Sequence, residues 1–142
     1  MLVADGQRCD GPGAPESCDR AIRMVPLVAD RFVQQPLVDE RGACLGSSFL
    51  PVRARGRVGR GHGTQYELET SVTFNANIVT IREHLALTRA PGGRSPKDQA
   101  SESFVTRLQQ ERQVALRNGR LVTDGPSLLT RWLAQQQDVS RD

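Results

Sequence analysis

The clearest pattern along the chain is an alternation of apolar and polar residues that begins at position 65. From Gln65 to Phe74 nearly every second residue is apolar or aromatic, and the residues between them are polar or acidic. This period of two predicts a strand with one buried face and one solvent-facing side. Asn75-Ala76-Asn77 follows and supplies residues that tolerate turn geometry.

A second alternating stretch runs from Ile78 to Thr88. Its first half is rich in β-branched residues and favours a strand, whereas Glu83 to Leu87 contains better helix formers. The pattern alone therefore leaves both strand and helix open for residues 78–88. We interpret residues 65–88 as an antiparallel β-hairpin or small sheet.

Two segments nearer the C-terminus show the three-and-four spacing of amphipathic helices. Ser95-Pro96 is typical of a helix start and Gly119 of a helix end, which predicts a helix over about 96–118. Asp124-Gly125-Pro126-Ser127 begins a second predicted helix, over about 125–137. Strands followed by helices predict an α+β fold with both helices packed on one face of the sheet.

Residues 1–20 differ in composition from the rest of the chain. They are rich in Gly, Pro, Asp and Ser, which predicts a loose N-terminal arm and leaves one small domain over 21–142. The first residues lack the order of a secretory signal, and no apolar run approaches the roughly 20 residues that span a membrane. We therefore expect a cytoplasmic protein with no membrane partner.

The sequence contains three cysteines, Cys9, Cys18 and Cys44. Their spacing matches neither a CxxC pair nor the ligand spacing of structural zinc. An odd, sparse set of this kind is typical of reduced thiols. We expect no metal site and no cofactor.

The positive charge is concentrated in one stretch. The chain has a net charge of +3, and residues 53–63 carry four arginines and no acid: Arg53, Arg55, Arg57 and Arg60. Arginine binds phosphate through two hydrogen bonds, and glycine allows close approach to a polyanion. This predicts a flexible Arg/Gly loop that contacts nucleic-acid phosphates without sequence preference. The alternative is a solvated loop whose arginines reflect codon usage, since 18 of the 19 basic residues are Arg.

His62 and His84 are the only histidines. Across the predicted hairpin, His84 lies near Glu67 or Glu69. His62 and His84 as acid and base, Glu67 as an orienting group and Arg60 as an anion clamp would suit metal-independent RNA cleavage. The alternative is that His84 is a partly exposed sheet residue and His62 a loop residue.

These features lead to three hypotheses about function. The first is a small intracellular, non-enzymatic binding or assembly protein that contacts nucleic acid through the Arg/Gly loop at 53–63. The second is a small metal-independent nuclease or hydrolase that uses His62 and His84. The third is a structural or partner-binding subunit without a nucleic-acid role. The apolar stripe around Trp132 adds the expectation of a homodimer through the C-terminal helices.

Overall fold

The computed structural model of the chain describes residues 2–9, 18–59, 63–89 and 104–139. Over these residues the chain forms eleven strands and one helix. The strands are β1 Leu2–Cys9, β2 Cys18–Val25, β3 Leu27–Val28, β4 Arg31–Phe32, β5 Leu37–Val38, β6 Cys44–Gly46, β7 Phe49–Val58, β8 Thr64–Asn75, β9 Ile78–Arg89, β10 Phe104–Arg117 and β11 Arg120–Thr123; the helix is α1 Leu128–Val139.

Nine of these strands form a single sheet that curls into a half-barrel. Their order across the sheet is β1-β2-β7-β8-β9-β10-β11-β5-β6, and β3 and β4 pair separately. Neighbouring strands are antiparallel except β11 and β5. The long strands β7 to β10 are the middle of the sheet, and the predicted hairpin is its β8–β9 pair.

The predicted α+β fold, with a small sheet and two helices, is wrong. Residues 104–117 of the predicted helix at 96–118 form the strand β10, which pairs along its length with β9. Residues 96–103 lie outside the described part of the chain. The alternating signal of this strand is hidden because two of its inward-facing positions, Gln110 and Arg112, are polar.

The Asn118-Gly119 pair is a hairpin turn rather than a helix end. Both residues have positive φ, 50° and 74°, and they connect Arg117 directly to its cross-strand partner Arg120. Two central residues in the left-handed region define the tight turn that matches the twist of antiparallel strands. A glycine after a periodic segment is typical both of a helix end and of a tight hairpin turn. Gly119 lies in a hairpin turn.

The loose N-terminal arm of the predicted fold is also wrong. Leu2–Cys9 and Cys18–Val25 are paired antiparallel strands, and β2 continues the sheet by pairing with β7. Residues 10–17 lie outside the described residues. The backbone pairing of these strands supplies order that composition alone does not predict.

The concave side of the half-barrel holds the core in two clusters. One lies under β2, β5 and β7 to β11; its buried members are Ile22, Met24, Leu37, Leu50, Val79, Ile81, Val114 and Leu121. The other joins α1 to the middle strands; its buried members are Leu68, Leu85, Leu128, Leu129 and Trp132. The helix predicted over 125–137 therefore exists, as α1 Leu128–Val139, and packs on the part of the concave face that holds the second cluster.

A buried ion pair anchors the start of α1. Glu83 on β9 and Arg112 on β10 have side chains only 2% and 3% exposed. Glu83 Oε2 accepts hydrogen bonds from Arg112 Nε at 3.2 Å, Gln110 Nε2 at 3.2 Å and the backbone N–H of Leu128 at 3.1 Å. Arg112 Nη1 also donates to the carbonyl of Gly125 at 3.3 Å. The carboxylate thus satisfies one of the free N–H groups of the helix start and suits its positive dipole end.

Ser127 completes the start of the helix. Its hydroxyl accepts a hydrogen bond from the N–H of Thr130 at 3.0 Å, which makes Ser127 the N-cap residue. Gln110 Nε2 donates to the carbonyl of Pro126 at 2.9 Å. The segment between β11 and α1 is therefore held by side chains of β9 and β10.

An aromatic contact anchors the body of the helix. The rings of Tyr66 on β8 and Trp132 on α1 meet edge to face, with centroids 5.7 Å apart. The Tyr66 ring lies over Gly56 of β7, where an added Cβ would be 2.5 Å from Tyr66 Cζ. Position 56 therefore requires glycine because a side chain there would clash with the Tyr66 ring, not because the backbone needs the conformational freedom of glycine.

The first prediction concerns Glu83. Glu83→Gln leaves the buried Arg112 guanidinium without its counter-charge, so we expect the free energy of unfolding to fall by about 3–5 kcal/mol. Chemical denaturation followed by circular dichroism measures this change. Glu40→Gln is the matched control, because it removes an exposed carboxylate that pairs with the exposed side chain of Arg117. Equal losses from the two substitutions would contradict the anchoring role of Glu83.

The second prediction concerns Gly56. Gly56→Ala forces the Tyr66 ring away from Trp132, and we expect a loss of about 1–3 kcal/mol by the same measurement. Gly125→Ala is the control, since no atom lies within 4 Å of its added Cβ. We expect no loss of stability from the control. An unchanged Gly56→Ala protein would show that the ring has room to move.

Candidate binding face on the convex side of the sheet

The predicted Arg/Gly loop at 53–63 is a strand over its first half. Arg53, Arg55 and Arg57 lie on β7 and pair in register with β8. Residues that face the other side of the sheet alternate with them: Val52, Ala54, Gly56 and Val58. This period of two was the available sequence signal, and the glycines concealed it. Arg60 and His62 lie outside the described residues.

The first two arginines of this row are paired with acids. Arg55 donates from Nη2 and Nε to Glu67 Oε1, at 2.8 and 3.1 Å. Arg53 Nη2 lies 3.6 Å from Glu69 Oε1. These side chains are between 42% and 65% exposed, so each pair adds little stability. Arg57 faces Gln65 across the strands and has no acid opposite it.

Rows of side chains continue across β9 and β10 on this convex side. His84 lies opposite Glu69 in register, and Gln109 lies on the far side of His84. In the next row, Ala86 separates Glu67 from Arg107. Because Ala86 is small, a depression of about 340 Å³ opens between Glu67, Glu69, His84 and Arg107.

One further ion pair lies on this side of β9 and β10. Arg82 Nε and Glu111 Oε2 are 2.6 Å apart and directly opposite in register. The hydrogen bond to Glu111 and the negative charge of that carboxylate raise the pKa of Arg82. Arg82 therefore carries its positive charge at neutral pH.

Arginines outnumber acids in the convex rows around this depression. Among the side chains that the structure describes, six arginines share these rows with three glutamates; they are Arg20, Arg53, Arg55, Arg57, Arg82 and Arg107 against Glu67, Glu69 and Glu111. The sequence prediction missed Arg20, Arg82 and Arg107. It missed Arg107 because the pattern predicted a helix over 96–118, and a helix does not pair Arg107 with a residue of β9.

Aromatic residues are missing from the described side chains of this face. Tyr66 and Trp132 belong to the concave core, and Trp132 is 7% exposed. The Trp132 surface predicted for a homodimer is therefore occupied by the protein's own sheet. Base stacking, which requires exposed rings, has no support among these side chains.

The predicted catalytic set is brought together only in part. His84, Glu67 and Glu69 line one depression, whereas Arg60 and His62 lie outside the described residues. Both carboxylates are already engaged by arginines of β7. No group of three His, Cys, Asp or Glu side chains with metal-binding geometry occurs in the described ranges.

None of the helices over the described residues is long and apolar enough to cross a membrane. Comparison of the chain with protein-family models, with curated proteins and with solved structures finds no match.

Proposed function

We propose that the convex face of the half-barrel binds the phosphate backbone of nucleic acid without sequence preference. The observation that carries the proposal is the excess of arginines over glutamates among the described side chains around the depression, five against three even without Arg20. Residues on one face of a strand recur about every 6.8 Å, so arginines on neighbouring strands present guanidiniums as an array. Such an array suits a polyanion better than a small anion.

Arg57 and Arg107 are the first contacts in this proposal. Neither forms an ion pair within the described structure, and both are exposed. Arg53 and Arg55 add further phosphate contacts. A guanidinium has five N–H donors, and the paired glutamates occupy only some of them. The three glutamates limit the affinity and prevent indiscriminate attraction of anions.

A second candidate function uses the depression beside Ala86. His84, Glu69, Glu67 and Arg107 line it together, which is a set that can move a proton and hold an anion. Phosphodiester cleavage at this depression requires His84 as acid or base, and Glu69 rather than Glu67 is its direct cross-strand neighbour. Cleavage would use the same convex face as phosphate binding. The nucleic acid in the binding experiment below is therefore also examined for shortened products.

The third prediction compares two double variants with equal net charge. Arg57→Ala/Arg107→Ala removes two contacts from the convex face, and Arg41→Ala/Arg131→Ala removes two exposed arginines elsewhere. Affinity for fluorescent RNA and DNA, single- and double-stranded, is measured by anisotropy over a range of salt. We expect the slope of log K against log salt to fall by about 1–2 for the face variant, since each phosphate contact contributes about 0.7–0.9. The control should keep the wild-type slope.

Several outcomes contradict the proposal. Equal losses in the two double variants would indicate attraction by net charge alone. Absence of binding at low salt would exclude a phosphate-binding face. Shortened products that disappear in His84→Ala, with binding retained, would favour the hydrolase instead.

A further inference from the structure

Strand β10 has a long side with no described strand next to it. It pairs with β9 from Phe104 to Ala115, whereas β11 covers its other side only from Val114 to Arg117. Among the described strands, the segment of β10 before Val114 is therefore paired on one side only and forms a sheet edge. This edge exists whether or not the convex face binds nucleic acid.

The register shows which backbone groups point out of this edge. The N–H of Leu116 donates to the carbonyl of Asn77. The backbone N–H and C=O groups of the even-numbered residues of β10 therefore point toward β9. Gln113 N instead donates to Asp124 Oδ1 at 3.1 Å, on the opposite side. The odd-numbered residues Val105, Arg107, Gln109 and Glu111 hence direct their N–H and C=O groups outward, and all four are exposed. Unpaired edges of this kind are templates for strand addition.

We propose that a second copy of this chain occupies the edge, with the two β10 strands antiparallel about a twofold axis at Gln109. In that register Arg107 of each copy lies opposite Glu111 of the other. A twofold axis at Arg107 or at Glu111 would instead place two like charges directly opposite each other, which is destabilising. Axes at Leu108 or Gln110 would pair neither charge with its opposite, so the axis at Gln109 is the register that forms both Arg–Glu pairs between the copies.

The side chains next to the edge fit this arrangement. Arg107 forms no ion pair among the described residues, and Glu111 uses Oε2 for Arg82, which leaves Oε1 for the second copy. Arg107, Gln109 and Glu111 form hydrogen-bonded pairs with Glu111, Gln109 and Arg107 of the second copy, each exchanging two backbone bonds. The edge ends at Gln113, where Asp124 already accepts the N–H.

The dimer joins the two half-barrels into one continuous sheet. Its convex faces become contiguous, since the convex residues of β10 in each copy meet at the axis. An isologous contact of this kind closes after two copies and does not propagate into fibres. The outward backbone groups of both strands are then paired, so the edge is no longer available to other chains.

The fourth prediction uses two charge-reversed variants of the full chain. Arg107→Glu places a second carboxylate opposite Glu111 in its own dimer, and Glu111→Arg places a second guanidinium opposite Arg107. We expect each variant alone to dimerise more weakly than wild type, on the order of tenfold or more in dissociation constant. In an equimolar mixture, a heterodimer of the two variants pairs a carboxylate with a guanidinium at both contacts, so it should form in preference to either homodimer. Sedimentation velocity from low to high micromolar concentration measures all three samples, and circular dichroism verifies the fold of each.

A backbone variant tests the edge independently of charge. Gln109→Pro removes an outward N–H and leaves the hydrogen bonds to β9 in place, which an edge strand tolerates. It should weaken the dimer, whereas the control Gln109→Ala should not. A wild-type protein that stays monomeric at the highest concentration would overturn the proposal. So would a dimer that both charge variants leave unchanged, or a mixture that fails to associate.

Discussion

The buried carboxylate of Glu83 is the constraint on which the rest of the structure depends. A charge removed from water requires a counter-charge and satisfied hydrogen bonds. Arg112 supplies the charge from the next strand, and the N–H of Leu128 supplies a donor from the start of α1. The helix is thereby fixed over the concave face, which brings Trp132 against Tyr66 and completes the second core cluster.

The same constraint shapes the surfaces available for function. To bring Leu128 to Glu83, the chain leaves the sheet at Asp124, so β11 ends at Thr123 and covers only the last residues of β10. Within the described part of the chain, no strand pairs with the remaining edge of β10. Because the two core clusters and α1 occupy the concave side, the exposed charged rows of β7 to β10 lie on the convex side. Phosphate binding and pairing of two copies are thus proposals about the surfaces that helix docking leaves exposed.

Parts of this fold could be predicted from sequence, and the failures have physical causes. The hairpin at 65–88 and the helix at 125–137 follow from periodicity because their inward residues are mostly apolar. The periodicity of β10 does not predict a strand, because the inward-pointing residues Gln110 and Arg112 are polar. They form hydrogen bonds with Glu83 on β9, and the local sequence pattern does not reveal a partner on another strand. The arginines of β7 were placed in a loop because glycine, required at position 56 for contact with Tyr66, resembles a turn signal. At the candidate face, the proximity of His84 to Glu69 follows from the hairpin, but the position of Arg107 required the register of β10.

Native-state hydrogen exchange at the amide of Leu128 tests the central claim most directly. If Glu83 fixes the helix to the sheet, this amide exchanges as slowly as the amides in the middle of β9, through global unfolding alone. Exchange of Leu128 and the rest of α1 orders of magnitude faster than β8 and β9 would contradict the account. The helix would then open as a separate unit, and the buried ion pair would not be what holds it in place.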